Sequence, residues 1–206
     1  MTILAIDTST THGSVALLAD GELRLEENFT ADRTTSSSLF AVLERAVALA
    51  PRVDQVAVGL GPGSYAGVRI AIAAALGLEL GAGAQLVGLP SVAALAVEAA
   101  GWLAIGDARR ETFYFTRVED GVCVEGPLLA SESELRERLA AHATLPVFTS
   151  AALAAFPDAQ IALPSAARLA RLAGAGRGIT ATGDLEPIYL REPHITLPKV
   201  RAPLAL

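Results

Sequence analysis

The feature that most constrains the fold is a glycine-rich turn between a short apolar run and a long alanine-rich segment. Residues 56–58 are Val, Ala and Val, residues 59–67 contain four glycines and a proline, and residues 68–80 are almost entirely apolar. This succession predicts a strand, a tight turn and a helix. Ser64 stands where it would cap that helix, whose free N–H groups favour an anion or a polar group of a partner.

Two phosphate-binding loops can be compared with this turn. A Walker A loop requires Lys followed by Ser or Thr after its last glycine, and no lysine lies near it. A Rossmann loop requires Gly-x-Gly-x-x-Gly, whereas Gly61, Gly63 and Gly67 are spaced one residue too widely, and the next strand ends without a ribose-binding carboxylate. The Walker loop is excluded, and the Rossmann loop remains the weaker alternative.

Four motifs in order along the chain carry a resemblance to a known family. The turn resembles the GPGSFTGLR signature of the TsaB (YeaZ) family, and residues 3–10, 107–109 and 187–191 are similar to that family's opening strand, its IDAR motif and its closing PxYLR motif. Tyr65 and Ala66 replace the usual Phe and Thr. A larger departure follows Arg33, since Thr35 stands where the family usually has a His.

The resemblance implies an activity that belongs to a complex. TsaB proteins serve the threonylcarbamoyladenosine modification at position 37 of tRNAs that read codons beginning with A. The resemblance implies that this chain is a non-catalytic scaffold that binds a TsaD-type paralogue. A TsaE-type ATPase would join the complex, and tRNA would bind only within it. ATP or ADP and the metal would belong to the partner subunits, and the chain would form a homodimer when alone.

Composition limits the other classes of function. The chain has 206 residues, 52% of them hydrophobic, and a net charge of −6, which argues against nucleic-acid binding by the whole surface. A single cysteine fits a reducing cytoplasm. The N-terminus lacks the basic region of a signal peptide, and the longest uncharged apolar run, residues 70–78, is shorter than the roughly 20 residues of a membrane span. These observations predict a cytoplasmic protein with no membrane contact.

The order of predicted elements indicates an α/β fold with two lobes. Three antiparallel strands open the chain, followed by a helix over 34–50, a strand over 53–58, a helix over 65–80, a strand over 86–88 and a helix over 91–100. This is the order of one lobe of the two-lobed actin-like ATPase (ASKHA, RNase H-like) architecture. We therefore predict an N-terminal lobe over 1–100 and a smaller C-terminal lobe with an extended tail over 101–206.

A trace of repetition supports the second lobe. Asp7 precedes the Asp20-Gly21 turn by the same number of residues as Asp107 precedes Asp120-Gly121, and each Asp follows an apolar strand. The repeat then thins to helices over 132–141 and 165–173 with a strand over 147–149. The second lobe is therefore predicted to be truncated.

In this architecture the first turn of each lobe approaches nucleotide phosphates, with carboxylates that hold Mg²⁺ through water. The candidate phosphate-proximal residues are Asp7, Thr8, Ser9, Gly61, Gly63, Ser64 and Asp107. The alternative is that Asp7 and Asp107 only order their own turns. Arg109 and Arg110 follow Asp107 where a close approach to phosphate would favour glycine.

No catalytic or metal constellation is indicated. The three histidines, His12, His142 and His194, stand apart from one another and form no metal-binding pair. Cys123 is interpreted as a packing residue, and Ser64 lacks the Gly-x-Ser-x-Gly pattern of an activated serine.

The informative surface lies on the first two helices, which are apolar on more sides than one sheet face requires. Either both are buried inside the chain, or each packs one face on its sheet and the other on a partner. The resemblance favours the partner. The candidate interface residues are Ser36, Leu39, Phe40, Leu43, Val47, Gly67, Arg69, Ala71, Ala74, Ala75 and Leu78.

The C-terminal tail is locally basic, which indicates either a solvated surface or a contribution to tRNA phosphate binding in a complex. Its cations are Arg168, Arg171, Arg177, Arg191, Lys199 and Arg201. Two other functions remain open: an actin-like small-molecule kinase or ATPase, which would bind ATP alone, and a peptidase that acts on its partner through Ser64 or Cys123.

Overall fold

The computed structural model describes residues 1–31, 35–50, 52–181 and 185–191. The first part of the chain forms five strands, two helices and a 3-10 turn: β1 (Thr2–Asp7), β2 (His12–Ala19), β3 (Glu22–Thr30), α1 (Thr35–Leu49), β4 (Gln55–Gly59), α2 (Tyr65–Ala82), β5 (Gln85–Leu89) and the turn Ser91–Ala94. The described residues that follow form six strands and two helices: β6 (Gly101–Asp107), β7 (Thr112–Glu119), β8 (Val122–Ser131), α3 (Glu132–Ala141), β9 (Val147–Thr149), β10 (Gln160–Ile161), α4 (Ala166–Gly174) and β11 (Ile179–Ala181).

The strands make two sheets that repeat one topology. The first has the order β11-β5-β4-β1-β2-β3 and the second β10-β9-β6-β7-β8. β1 is antiparallel to β2 and parallel to β4, and β6 has the same relation to β7 and β9. Asp20-Gly21 and Asp120-Gly121 both turn with positive φ, at 50° and 82° in the first copy and 48° and 74° in the second. The predicted two-lobed α/β arrangement with an internal repeat is confirmed.

The second lobe is shorter because one helix is missing from it. α2 connects β4 to β5 in the first copy, whereas residues 150–159, which connect β9 to β10, are fully described and contain only turns and bends. The predicted truncation is therefore confirmed.

The second half of the chain also contributes to the first sheet. α4 packs against β1 and β2, and β11 extends the sheet beside β5. The division into lobes at residue 100 stays a prediction, and these two segments would be exceptions to it.

Alternating side chains of the first sheet build two apolar layers. Leu4, Ile6 and Val58 point toward α1 and α2, whereas Ile3, Ala5 and Ala57 point toward α4. This alternation follows from the two-residue period of a strand. Both faces of the sheet are therefore covered, and α1 and α2 lie on the same side.

The prediction of a helix over 91–100 is wrong beyond the first turn. Only Ser91–Ala94 is helical, as a 3-10 turn. The chain then forms a bridge between Leu95 and Pro164, and the amide of Ala96 donates to the carbonyl of Leu163 at 2.9 Å. These tertiary hydrogen bonds override the helix propensity of the alanines.

α2 is long and apolar enough to meet the criterion for a membrane span by length and composition, with a mean hydropathy of 1.4, and no other helix among the described residues does. Core helices of water-soluble proteins meet the same criterion, and one face of α2 packs on β4. Only 33% of its 18 residues are buried. Its apolar composition therefore extends onto an exposed face.

Candidate functional site: a filled first turn and an exposed helix face

The first turn of the chain is buried beneath the glycine-rich turn. Asp7, Thr8 and Ser9 are each exposed by 2% or less. The hydroxyl of Thr8 donates to the carbonyl of Gly67 at 2.6 Å, and the amide of Ser64 donates to the carbonyl of Ser9 at 2.6 Å. The two turns that were predicted to border phosphates are therefore brought together, and each satisfies the other's backbone groups.

Two glycines make this contact possible. A Cβ atom on Gly67 would lie 1.9 Å from the carbonyl oxygen of Thr8, and one on Gly63 would lie 2.1 Å from that of Ser9. Real side chains do not approach backbone that closely. Gly63 and Gly67 are therefore required because the backbone of the glycine-rich turn and of the first turn of α2 lies directly against residues 8 and 9.

Asp7 mainly orders its own turn. Its Oδ1 accepts from the amide of Ser9 at 2.8 Å and from its hydroxyl at 2.7 Å. Its Oδ2 has no partner of ordinary hydrogen-bond geometry among the described residues, although Ser91 lies close to it. Burial raises the pKa of Asp7, and the nearby hydroxyl of Ser91 and the groups of Ser9 lower it by less. The carboxyl is therefore held in a dry environment that disfavours its charge.

Asp107 occupies the equivalent position at the end of β6 but is exposed. Its Oδ1 accepts from the amide of Arg109 at 2.7 Å. Arg109, Arg110 and Glu111 follow with φ of 66°, 52° and 57°, a left-handed conformation that L-residues rarely adopt. The second copy thus keeps the carboxylate turn, with larger charged side chains where the first copy has Ser9, Thr10 and Thr11.

The remaining chemical candidates have structural partners or surroundings. The hydroxyl of Ser64 accepts from the amide of Gly67 at the N-terminus of α2, which confirms the predicted cap. Burial raises the pKa of Cys123 to about 11. In the part of the chain that the structure describes, no group of three His, Cys, Asp or Glu side chains is placed to hold a metal ion.

α1 and α2 expose an apolar surface on the side away from their sheet. We define the outer helix face as the exposed residues Ser36, Phe40 and Val47 of α1 together with Ala66, Arg69, Ala73, Gly77 and Leu80 of α2. Phe40 is 57% exposed and Leu80 is 87% exposed. A Cβ on Gly77 would meet no atom within 4 Å. Small residues therefore leave the backbone of α2 open to close approach by another helix.

Several of the residues predicted for the interface face the chain's own sheet and are buried there. Leu39, Leu43, Ala71, Ala74 and Ala75 are each at most 6% exposed. Gly67 is also buried, and Leu78 is half-buried against the same core. No partner reaches these side chains without separating the helices from the sheet. Ser36, Phe40, Val47 and Arg69 are exposed, and their contact with a partner stays a prediction.

A cluster that the sequence analysis missed lies at the N-terminal end of the outer helix face. The rings of Tyr65 and Tyr189 stack with centroids 5.2 Å apart, and the guanidinium of Arg69 lies 5.3 Å from the Tyr65 ring. Both tyrosines stand in motifs that were singled out, so the signal was present. Their sequence separation concealed the contact.

Some predicted features lie outside the described residues. They include Arg33 and Thr34 before α1, His194, and the basic residues Lys199 and Arg201. Arg168, Arg171, Arg177 and Arg191 are described, and Arg168 and Arg191 bind backbone carbonyls of the chain.

Comparison with known proteins identifies relatives along most of the chain. A sequence profile of the family TsaD: tRNA N6-adenosine threonylcarbamoyltransferase matches residues 33–126, which include α1, α2 and the first strands of the second sheet. An uncharacterised protein of Mycobacterium tuberculosis is 32% identical over 200 residues, covering 93% of this chain and 92% of the relative.

Two further relatives carry names. The tRNA threonylcarbamoyladenosine biosynthesis protein TsaB of Haemophilus influenzae is 35% identical over 128 residues, covering 57% of this chain and 54% of the relative. A solved structure described as an uncharacterised protein with similarity to peptidase YEAZ from Pseudomonas aeruginosa is 26% identical, with a TM-score of 0.71, and the match covers 92% of this chain and 99% of that one. The match to the named TsaB protein thus spans just over half its length.

Proposed function

The chain belongs to the TsaB (YeaZ) family and has its two-lobed actin-like fold, and from this we propose that it takes part in the biosynthesis of threonylcarbamoyladenosine in tRNA. In this proposal it is a non-catalytic subunit that binds a TsaD-type paralogue through the outer helix face. The paralogue transfers the threonylcarbamoyl group to adenosine 37, and a TsaE-type ATPase joins the complex. We propose that the protein carries out this function in the cytoplasm.

The exposed outer helix face is the observation that carries the docking role. Six of its eight residues are apolar or glycine, and Arg69 is charged; the exposed Glu44 lies on the same side of α1, one turn after Phe40. A solvated helix normally carries polar residues on its outward side. Specific interfaces deplete charge at their centre, and the exposed residues Ala73 and Gly77 of α2 fit this composition.

The packing of the candidate chemical groups supports a non-catalytic role. Ser64 is engaged as a helix cap, and a Cys123 thiol with a pKa of about 11 is almost entirely protonated at neutral pH and is a poor nucleophile. Asp7 accepts two hydrogen bonds from Ser9 of its own turn.

The alternative kinase or ATPase would require phosphates to approach the first turn. Here Gly63 and Gly67 lie against the carbonyl oxygens of Ser9 and Thr8, so that backbone of the chain itself fills the space beside the first turn. We therefore propose that this chain binds no nucleotide by itself, with ATP or ADP and metal held by the partner subunits. Calorimetric titration with Mg-ATP tests this directly, since micromolar binding by the isolated chain would favour the kinase.

The docking proposal is tested by a pair of alanine-to-arginine variants. Ala73→Arg places a charged side chain at the centre of the outer helix face, and Ala140→Arg makes the same change at an exposed position of α3. We expect Ala73→Arg to weaken the complex with the TsaD-type protein of the same genome by about 100-fold or more, because the charge loses water without gaining a partner. Ala140→Arg should bind as the unmodified chain does.

Circular dichroism verifies that both variants fold, and gel filtration with calorimetry measures the complex. If folded Ala73→Arg binds the TsaD-type protein normally, this surface is not the docking site. If the unmodified chain forms no complex with that protein, the proposed function fails. Cleavage of the partner that survives chelation and requires Ser64 or Cys123 would support the peptidase instead.

A further inference from the structure

Residues 185–191, which we call the strap, are fixed against the glycine-rich turn. Leu185 is 8% exposed and joins the core beneath α1 and α2. The amide of Ile188 donates to the carbonyl of Leu60 at 2.8 Å. At its end, Arg191 donates to the carbonyl of Arg109 and to the hydroxyl of Thr112 in the second lobe. The strap is therefore held at both ends, and Tyr189 lies between them.

Tyr189 and Tyr65 hold Arg69 in a defined position. Tyr189 stacks on Tyr65 at an interplanar angle of 25°, and the Nη1 of Arg69 donates to the hydroxyl oxygen of Tyr65 at 3.2 Å. The hydroxyls of both tyrosines stabilise the guanidinium and raise the pKa of Arg69, that of Tyr189 most. An exposed arginine is ordinarily free to adopt many rotamers. This one is restrained before any partner arrives.

The cluster presents hydrogen-bond donors without an acceptor to receive them. A guanidinium has five N–H donors, and a phenol that accepts from Arg69 can still donate its own O–H. Among the described ion pairs, Arg69 has no carboxylate partner. Arg69 is also the one charged residue among those that α2 contributes to the outer helix face. When another surface covers that face, this cation needs an anionic partner, because a buried unpaired charge is costly.

We propose that Arg69, framed by Tyr65 and Tyr189, receives a carboxylate of the protein that docks on the outer helix face. This inference rests on the proposed function and specifies the chemistry that the partner must present at one end of the interface. A protein carboxylate fits better than an RNA phosphate because the neighbouring residues Ala66, Ala73 and Gly77 are uncharged. A nucleic-acid surface carries a cluster of cations.

Tyr189 acts as a positioning residue for this pair. Its ring covers Tyr65, and its hydroxyl supports the guanidinium, so that Arg69 loses less rotamer freedom when the partner binds. Tyr and Arg are also the residue types most enriched among those that dominate interface energy. The closing PxYLR motif of the chain thereby gains a physical role at the docking surface.

The test measures binding of the full chain to the TsaD-type protein of the same genome by calorimetry at several NaCl concentrations. We expect Arg69→Gln to weaken binding by about tenfold or more and to reduce its salt dependence between about 0.05 and 0.5 M NaCl. Arg171→Gln, at an exposed position of α4 on the opposite side of the sheet, is the matched control and should change neither quantity. Tyr189→Phe keeps the ring and should lose less affinity than Tyr189→Ala.

The outcomes separate this inference from the proposed function. If Ala73→Arg abolishes binding while Arg69→Gln binds with unchanged affinity and salt dependence, the carboxylate contact is refuted and the docking role stands. If Arg69→Gln lowers tRNA retention by the assembled complex without changing protein affinity, the anion is an RNA phosphate and the inference is equally overturned. Thermal unfolding of each variant verifies that a loss of binding does not reflect a loss of fold.

Discussion

Gly67 and Gly77 stand ten residues apart on α2, and the same substitution at the two positions should change stability in opposite directions. An alanine at Gly77 adds a methyl group in open space, so that only the helix propensity changes. Alanine is better than glycine in a helix interior by about 1 kcal/mol. Gly77→Ala should therefore raise the free energy of unfolding by about that amount.

At Gly67 the same methyl group meets backbone. The new Cβ would lie 1.9 Å from the carbonyl oxygen of Thr8, whereas a carbon and an oxygen in contact ordinarily lie at about 3.3 Å or more. The first turn and α2 would have to separate by more than about 1 Å. Such a shift loses the buried hydrogen bonds from Thr8 to Gly67 and from Ser64 to Ser9, at about 1 kcal/mol or more each, in addition to an overpacking cost of about 1–3 kcal/mol.

The gain in propensity offsets only part of these losses, and the net destabilisation by Gly67→Ala is about 3 kcal/mol. For a chain of this size about 1 kcal/mol changes Tm by roughly 2–4 °C, so we expect a decrease of about 6–12 °C for Gly67→Ala and an increase of about 2–4 °C for Gly77→Ala. Urea unfolding should be followed by far-UV circular dichroism and by the fluorescence of Trp102, which is fully buried in the second lobe. If Gly67→Ala stabilises the protein as Gly77→Ala does, the close packing of the glycine-rich turn on the first turn is refuted.

Three further predictions concern buried or capped groups. Burial raises the pKa of Asp7, so the folded chain binds the carboxyl proton more tightly than the unfolded chain does. The contribution of Asp7 to stability is therefore present below its unfolded pKa of about 3.9 and is lost as pH rises through its folded pKa. Asp7→Asn should therefore be more stable than the unmodified protein at pH 7, and the difference in Tm should shrink toward pH 4; a constant difference would contradict the burial argument. Since the pKa of Cys123 is raised from 9.0 to about 11, alkylation by iodoacetamide at pH 8 should be about 100-fold slower in the native protein than in urea, and equal rates would contradict it. The hydroxyl of Ser131 accepts from the amide of Glu134 in a capping box, so Ser131→Ala should lower the free energy of unfolding by about 1 kcal/mol in urea titration. Ala140→Gly is the control, because it changes helix propensity in the same helix and leaves the cap intact.

The sequence predicted the repeat and most elements because their signals are local. Asp-Gly turns mark both hairpins, and Ser64 and Ser131 mark helix starts through their own hydroxyls. The prediction of a helix beyond Ala94 is wrong because the deciding contacts are not local. Its alanines favour a helix, but hydrogen bonds with residues 163–165 hold the chain in another path, and partners so far along the sequence leave no local trace.

The sequence also indicated that α2 is apolar on every side, without indicating which side faces the sheet. Small residues occupy both sides, so the sequence does not distinguish Ala71 and Ala74, which were predicted to lie at the interface but are buried, from Ala73 and Gly77, which are exposed. Burial of one stripe is decided by the rotation of the helix on β4. The stacking of Tyr65 on Tyr189 was beyond prediction because it depends on where the strap crosses the first lobe.

The helix that is missing between β9 and β10 bears on how assemblies can grow. A repeat protein with two equal halves would offer two equivalent helix layers and could join neighbours on both sides. Here residues 150–159 contain no counterpart of α2, so among the described residues the second lobe has α3 without a neighbouring helix of that kind. We therefore expect a subunit that docks on a pair of neighbouring helices to use the first lobe, where α1 and α2 lie on the same side of the sheet.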